Sequence, residues 1–396
     1  MKRENGFSLI ELMAAIGILI VVISGCVAAL MQAQYAADEA IAEANVMENL
    51  RAGMHFVVRD LMQAGEGIPP EGISLPNTAA GVSNVNRPGT ATIFVNNGAP
   101  GNPTYLVLPP VIPGSGLGNA ATSVNPKTGA VLVAGAANTD IINIFYADNT
   151  LVDVAGHYLN SYPIIQGAVP GPACAGAMPV SGASITLAAA CFTMPGVGNT
   201  PIATGNLLLF TNPTGTALAY VTSVAGQTIN FAAADPADVN QTGKPNNTLA
   251  VLAAAGQPTA VTRVWMVTYY VNSVANQACP QLMRQVNYPN FPVAAPANPP
   301  QAIAECIEGL SISYDIYNST APAGTYPLGP GDAPLPISPD LPSQIRAVNV
   351  FLAARSTNSF LVGSNRNFVR NNIATQVSLR SVAFVNQFNT SATAVE

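Results

Sequence analysis

MKRENGFSLIELMAAIGILIVVISGCVAALMQAQ, residues 1–34, is the strongest structural signal in this chain of 396 residues. A short charged leader ends at Gly6, and an apolar run from Phe7 to Met31 follows, interrupted by one charge at Glu11. About 20 consecutive apolar residues are enough to span a bilayer as an α-helix. Because basic residues precede the run, the positive-inside rule predicts a cytoplasmic N-terminus. The sequence therefore predicts one membrane span, with the remainder of the chain on the other side of the membrane.

The order of leader and apolar run differs from that of an ordinary secretory signal, in which the cleavage site follows the apolar region. Here the candidate cleavage residue, Gly6, precedes it. The segment Gly6-Phe7-Ser8-Leu9-Ile10-Glu11 resembles the class III leader of type IV prepilins. The resemblance implies that prepilin peptidase cleaves after Gly6 and that the new N-terminal residue, Phe7, is then N-methylated. Residues 1–6 would be the leader peptide.

Glu11 is the one charge inside the apolar run. Intramembrane acids are candidates for a functional role because an unpaired carboxylate in hydrocarbon is strongly unfavourable. Cleavage would create a cationic amine on Phe7, one helical turn from Glu11 on the same face. The resemblance implies that Glu11 pairs with this amine in a neighbouring subunit and thereby selects correctly registered helices during assembly. The alternative is a plain signal anchor whose Glu11 side chain reaches the cytoplasmic interface.

Helical periodicity continues beyond the span. Apolar residues recur at spacings of three, four and seven residues, at Ile41, Met47, Leu50, Met54, Val57 or Val58, and Leu61. This period predicts one helix from about Phe7 to Ala64, stopped by the glycines and prolines that follow. Residues 7–31 would form its transmembrane or filament-core part. Residues 32–65 would form an amphipathic part that presents an apolar stripe to a globular head.

The rest of the chain lacks the helical period and alternates short β-rich runs with Gly, Pro and Asn. The predicted strands are Thr92–Val95, Ile141–Tyr146, Leu207–Phe210, Ala217–Val221, Thr228–Phe231, Val261–Val271, Cys306–Tyr317, Ile345–Ala354 and Ala374–Val385. Residues 66–260 are poor in charge and indicate a loop- and strand-rich insertion, whereas residues 261–396 indicate an antiparallel β-sheet region packed on the helix. The predicted fold class is α+β and type IV pilin-like: a long N-terminal helix, transmembrane in its first half, packed on an antiparallel sheet with a large head.

A second resemblance lies near the C-terminus. Glu308–Asp315 (EGLSISYD) is followed by Ile345–Arg355 (IRAVNVFLAAR) and by Gln376–Arg380 (QVSLR). This order resembles minor pilins of the PilW type. It implies a minor pilin that takes part in type IV pilus assembly, and the size of the head favours a priming or tip subunit. Two alternatives stay open, namely a J-type pseudopilin of type II secretion and a tip adhesin whose middle region binds a surface or glycan.

The chain has five cysteines. Cys26 lies in the predicted span, where a small apolar packing role is expected. The other four form two sequence-close pairs, and an oxidising periplasm permits disulfides. Four cysteines allow three pairings, of which we predict the nearest-neighbour one, Cys174 with Cys191 and Cys279 with Cys306. Zinc is disfavoured because no CxxC spacing occurs.

Few residues have the types and spacing needed for catalysis or for binding nucleic acid. Charged residues make up 9% of the chain, the formal net charge is −6, and no basic cluster occurs, so nucleic acid is not an expected partner. His55, expected to pack against the head, and His157 lack accompanying catalytic motifs, and no enzyme activity, cofactor or metal is predicted. Asp235, Asp238 and Asn240 are clustered oxygen donors without EF-hand spacing, so a solvated turn is the preferred interpretation.

The expected partners follow from the prepilin resemblance. They are other major and minor pilins, contacted through the N-terminal helix, together with prepilin peptidase, the inner membrane and the pilus assembly platform. Before assembly the chain is expected to be a single-pass inner-membrane protein with a periplasmic head, and after assembly to lie in the pilus at the cell surface. The 33 Gly and 33 Pro and the low charge are typical of a loop-rich, extracytoplasmic β-protein.

Overall fold

The computed structural model describes residues 8–69, 72–78, 81–82, 107–119, 123–124, 131–132, 138–148, 163–165, 176–188, 202–233, 235–241, 246, 248–273, 278–288, 299–316, 345–362 and 365–379. Within them the helices are α1 (Leu9–Met62) and α2 (Leu249–Ala254). The strands are β1 (Ile73–Ser74), β2 (Asn77–Thr78), β3 (Gly81–Val82), β4 (Val107–Leu108), β5 (Val111–Gly114), β6 (Ser123–Val124), β7 (Val131–Leu132), β8 (Ile141–Asp148), β9 (Pro163–Ile165), β10 (Gly176–Ala177), β11 (Ser184–Leu187), β12 (Leu207–Asn212), β13 (Gly215–Tyr220), β14 (Ser223–Ala225), β15 (Thr228–Asn230), β16 (Thr259–Asn272), β17 (Gln281–Val286), β18 (Gln301–Ala304), β19 (Ile307–Ile316), β20 (Ile345–Val362) and β21 (Asn365–Ser378).

The helix α1 is continuous over 54 residues, about 80 Å at a rise of 1.5 Å per residue. Its residues from Leu9 to Ile41 are all exposed, and burial begins at Ala42. The exposed part is long and apolar enough to cross a membrane. A turn containing Gly65 and Gly67, both with positive φ, follows the last helical residue. The long apolar helix and the β-rich body confirm the α+β class.

The second half of α1 is held on the head by its apolar stripe. Val46, Leu50, Met54, Val57 and Leu61 are buried at spacings of three or four residues, which places them on one helix face. They share a hydrophobic core with side chains of β19, β20 and β21, which form a three-stranded antiparallel sheet in that order. Burying each large apolar side chain contributes about 1.5–3 kcal/mol. This core fixes where the exposed part of α1 leaves the head.

The remaining large sheet has twelve strands among the described residues, with β16 at its centre. β16 pairs with β8, β9, β12 and β17, all antiparallel. β16 therefore crosses the boundary between residues 260 and 261 that composition indicates, and joins strands from both sides of it. Hydrophobic residues of β9, β11 to β13, β15, α2 and the start of β16 form a separate core that contains no residue of α1. The middle of the chain is thus built into the same sheet as β17 and β18.

Several predicted strands are present with altered ends. The runs predicted at Ile141–Tyr146, Val261–Val271 and Cys306–Tyr317 correspond to β8, β16 and β19. β20 is longer than predicted and extends to Val362, with a register shift between Arg355 and Ser359. The predicted strand Thr92–Val95 and the chain beyond Leu379 lie outside the described residues.

At Gly53 the helix α1 packs closely against the sheets. A Cβ atom at this position would lie 3.0 Å from the Ala304 Cβ and 3.2 Å from the Leu282 Cδ2. We expect Gly53→Val to lower the free energy of unfolding by about 1–3 kcal/mol because the helix must move away from the sheet. Thermal unfolding of the full chain in detergent, followed by circular dichroism, measures this. Gly25→Val is the control, since its Cβ would meet nothing within 4 Å; equal melting temperatures for the two variants would contradict the close approach.

Candidate assembly helix and its attachment to the head

The start of α1 is organised around Ser8 and Glu11. Ser8 has extended backbone angles at the N-cap position, and Glu11 lies in the first turn. The Ser8 backbone N–H donates a hydrogen bond of 3.2 Å to the Glu11 Oε2. This is the backward half of a capping box, which satisfies a backbone donor that the helix leaves free. Glu11 therefore stabilises its own helix start. Gly6 and Phe7 lie outside the described residues.

Apart from Glu11 and Ser24, the exposed part of α1 is apolar around its whole circumference up to Met31. Large side chains expose about half or more of their surface, for example Leu12 (54%), Met13 (66%) and Val21 (70%). Cys26 is also exposed on this helix. A helix that is apolar on all sides needs a membrane or other helices around it. The apolar residues Leu9–Met31 span about 35 Å, close to the thickness of a bilayer core.

A buried carboxylate on α1 forms hydrogen bonds with the large sheet. Asp60 is 0% exposed, and its Oδ2 accepts hydrogen bonds from the Tyr269 hydroxyl at 2.6 Å and from the Arg284 Nε at 2.7 Å. Arg59, half exposed, contacts the Asp60 Oδ1 at 3.2 Å. Burial raises the pKa of Tyr269, and the Asp60 carboxylate raises it further, so the hydroxyl stays protonated as a donor. We call Asp60, Tyr269 and Arg284 the Asp60 clamp.

Sequence analysis missed the Asp60 clamp. The available signal is an acid within the apolar stripe, one residue before Leu61 and three after Val57. A carboxylate at such a position is buried only when it is paired and hydrogen-bonded. Its partners lie on β16 and β17, 209 and 224 residues further along the chain. The clamp fixes how α1 is rotated on the head, because the carboxylate must face these two strands.

A second attachment lies where α1 enters the head. The Asn49 side-chain amide donates to the Glu305 carbonyl oxygen at 2.5 Å and accepts from the Glu305 N–H at 3.1 Å. The next residue, Cys306, forms a disulfide with Cys279, which links the starts of β17 and β19. The Arg355 N–H donates to the Cys306 carbonyl oxygen at 3.1 Å. The pairing of Cys174 with Cys191 lies outside the described residues and stays a prediction.

The acidic turn near residue 235 binds its own backbone. The Asp235 Oδ1 accepts from the N–H groups of Ala237 and Val239, and its Oδ2 accepts from that of Asn240. The Asn240 Oδ1 accepts from the Tyr220 N–H. Burial raises the pKa of Asp235 to about 6. Asp235 and Asn240 are buried, so the interpretation as a solvated turn is wrong for them, and they cluster because their oxygens accept hydrogen bonds from backbone donors.

In the described part of the chain, the remaining candidate residues do not form a catalytic or metal-binding site. His55 is exposed on α1, so the expectation that it packs against the head is wrong. The buried face of α1 passes through Met54 and Val57 instead, and successive helical residues are rotated by about 100°. His157 lies outside the described residues. No group of three or more His, Cys, Asp or Glu side chains within the described ranges is arranged to hold a metal ion.

Comparison with known proteins gives one match, which covers the beginning of the chain and the first part of α1. Residues 1–27 match the family model described as the prokaryotic N-terminal methylation motif. No curated protein and no solved structure shows significant similarity to the chain. The matched residues contain Gly6, Phe7, Glu11 and most of the apolar run. This prepilin-type motif, in front of a long exposed apolar helix and a β-rich body, supports a type IV pilin-like protein.

Proposed function

We propose that the chain is a minor pilin of a type IV pilus. It is cleaved after Gly6 by prepilin peptidase, N-methylated on Phe7, held in the inner membrane by α1 with a periplasmic head, and then assembled with other pilins through α1. The observation that carries the proposal is the methylation motif at residues 1–27, continuous with 33 exposed helical residues from Leu9 to Ile41. The motif marks the chain for processing, and the uncovered helix provides the surface for assembly.

The transfer from membrane to filament follows from the surface of α1. The apolar side chains are surrounded by lipid before assembly and by the helices of neighbouring subunits afterwards, so they stay out of water throughout. Glu11 is the exception, because its charge requires a partner in both environments. Its Oε2 accepts the Ser8 N–H within the subunit. The methylated amine of Phe7 on a neighbour supplies the compensating charge, which favours subunits docked in the correct register.

The size of the head supports a minor, priming or tip role. Residues 63–396 follow α1, and the described ones include three hydrophobic clusters besides the one that holds the helix. A head this large packs poorly when every subunit of a thin filament carries it. A position at the tip places no limit on the width of the head. The described residues of the three segments that resemble PilW-type minor pilins lie on β19, on β20 and at or just after the end of β21, and their buried apolar side chains share a core with α1.

Processing at Gly6 is the direct test of the proposal. Mass spectrometry of the N-terminal peptide from the membrane-bound protein is expected to show a chain that starts at Phe7 and carries one methyl group. Gly6→Val, which removes the small residue before the cut, is expected to retain residues 1–6. An intact Met1 in the wild-type protein, or cleavage after the apolar run, would contradict processing as a prepilin.

Deletion of the gene distinguishes the proposed role from that of a secretion pseudopilin. A minor pilin that primes assembly is required for surface pili, so the deletion strain is expected to lose sheared filaments. The protein itself is expected among the filaments sheared from wild-type cells. Normal piliation combined with defective protein secretion would assign the chain to a type II secretion system instead.

A further inference from the structure

The outer face of the three-stranded sheet carries an open groove. Leu310, Ile312, Val350 and Leu352 point toward α1 and belong to its core. Because successive side chains of a strand alternate between faces, their neighbours along β19, β20 and β21 point the other way. A groove of about 470 Å³ lies there, and we name it the sheet groove. Its outward-facing residues are Ser311, Ser313, Asn349, Phe351, Ala374 and Gln376.

The strand register arranges these side chains in two rows. Phe351 lies between Ser311 and Ala374, and Asn349 lies between Ser313 and Gln376. Between these small neighbours, in the centre of the sheet, Phe351 is 39% exposed. A single exposed apolar side chain is common on protein surfaces and indicates nothing by itself. The adjoining polar row is the second observation.

Asp315 holds that polar row in place. The Asn349 Nδ2 donates to the Asp315 Oδ1 at 3.0 Å, and the Gln376 Nε2 donates to the Asp315 Oδ2 at 2.5 Å. These bonds fix which end of each amide carries the oxygen. Each amide keeps a carbonyl oxygen and a second N–H for another partner, and the hydroxyls of Ser311 and Ser313 add further donors and acceptors. The polar groups beside the aromatic ring are therefore pre-organised, which lowers the entropic cost of binding.

Charge and size restrict what the sheet groove can bind. Asp315, which bonds to two groove residues, receives both of their amide donors, and at the far end of the sheet Arg370 pairs with Glu308 at 2.8 Å. The groove residues include no basic side chain, which disfavours phosphate groups and nucleic acid. The volume lies in the range of about 300–1,000 Å³ typical of small-ligand sites. The nine lining residues of the groove are fewer than the roughly 20–30 residues per side of a stable interface between two folded chains.

We propose that the sheet groove binds an uncharged saccharide. A pyranose ring has an apolar face of C–H groups and an edge of hydroxyl groups. The exposed ring of Phe351 matches the apolar face, and the amides of Asn349 and Gln376 match the hydroxyl edge, which needs both donors and acceptors. The site belongs to the folded head, so binding does not require the protein to be assembled into a filament.

Binding to immobilised neutral oligosaccharides tests the proposal. The full chain, in a detergent without a sugar headgroup, is measured by biolayer interferometry against oligomers of glucose, galactose, mannose and N-acetylglucosamine. Wild-type protein is expected to bind at least one of them. Phe351→Ala and Asn349→Ala are each expected to weaken binding about tenfold, as expected for the loss of one ring contact or hydrogen bond.

The controls separate loss of a contact from loss of fold. Val180→Ala removes another exposed apolar side chain, 67% exposed, on the turn between β10 and β11. It is expected to bind as wild type does, and all variants are compared by circular dichroism and melting temperature. The proposal is overturned if wild-type protein binds none of the four oligomers. It is equally overturned if both groove variants fold and bind as tightly as wild type.

Discussion

Glu11→Val protein is expected to be processed and inserted into the membrane but to be missing from sheared filaments. Removing the charge makes the span more apolar, so insertion is retained, and the cleavage residues Gly6 and Phe7 are unchanged. The variant lacks the carboxylate that would meet the methylated amine of a neighbouring subunit. It is therefore expected to accumulate in the inner membrane. Immunoblots of sheared filaments and of membranes, normalised to total protein, measure the two populations.

Glu11→Gln is the matched variant, because it separates two roles of the same side chain. Glutamine accepts the Ser8 N–H as glutamate does, so the backward half of the capping box survives. It carries no charge and cannot pair with the Phe7 amine. If Glu11 acts through its charge, both variants are excluded from filaments. Wild-type incorporation of Glu11→Val would refute the assembly role, and rescue by glutamine alone would assign Glu11 to the helix start rather than to the neighbouring subunit.

Asp60→Ala is expected to lower the free energy of unfolding by about 3–5 kcal/mol, the usual effect of removing one partner of a buried ion pair. The substitution leaves the Arg284 guanidinium, 13% exposed, and the buried Tyr269 hydroxyl without their shared acceptor. The helix loses its polar attachment to β16 and β17 at the same time. Trp265, the one tryptophan of the chain, lies on β16 four residues from Tyr269 and reports unfolding of this strand by fluorescence in urea.

Arg59→Ala is the control for the Asp60 clamp. Arg59 contacts the same carboxylate, at 3.2 Å, but its side chain is 46% exposed. Exposed ion pairs of this kind contribute about 1 kcal/mol or less. A loss of stability in Asp60→Ala no larger than in Arg59→Ala would show that the clamp does not hold the helix. Asp60→Leu combined with Arg284→Leu is expected to recover part of the loss, since it removes both buried charges.

The helix was predictable from sequence because its signals are local. The leader, Glu11 and the apolar run occupy consecutive residues, and the stripe from Leu50 to Leu61 repeats with the helical period. The predicted end at Ala64 differs from the observed Met62 by two residues. Such small errors are usual at helix ends, where the final turn loosens.

The arrangement of the head depends on pairings between distant residues, which a single sequence does not encode locally. A fall in charge content suggests a boundary near residue 260, yet β16 runs through it and joins β8 and β12 to β17. The Asn49 bond to Glu305 spans 256 residues of sequence. Likewise, the row of Ser313, Asn349 and Gln376 exists only once three strands are in register. Individual strands could be predicted, but not their neighbours.

The two attachments of α1 also determine how the protein carries mechanical load. Asn49 and Asp60 are eleven residues apart on the helix, about 16 Å along its axis, so tension applied to the exposed part of α1 reaches the Asn49 hydrogen bonds before it reaches the Asp60 clamp. That load passes to Glu305 and the adjacent Cys306, which is covalently joined to Cys279. The segment between these cysteines cannot be drawn out by pulling. Under tension the disulfide therefore limits how far the head can extend, and it opposes unfolding that starts where the force enters the head.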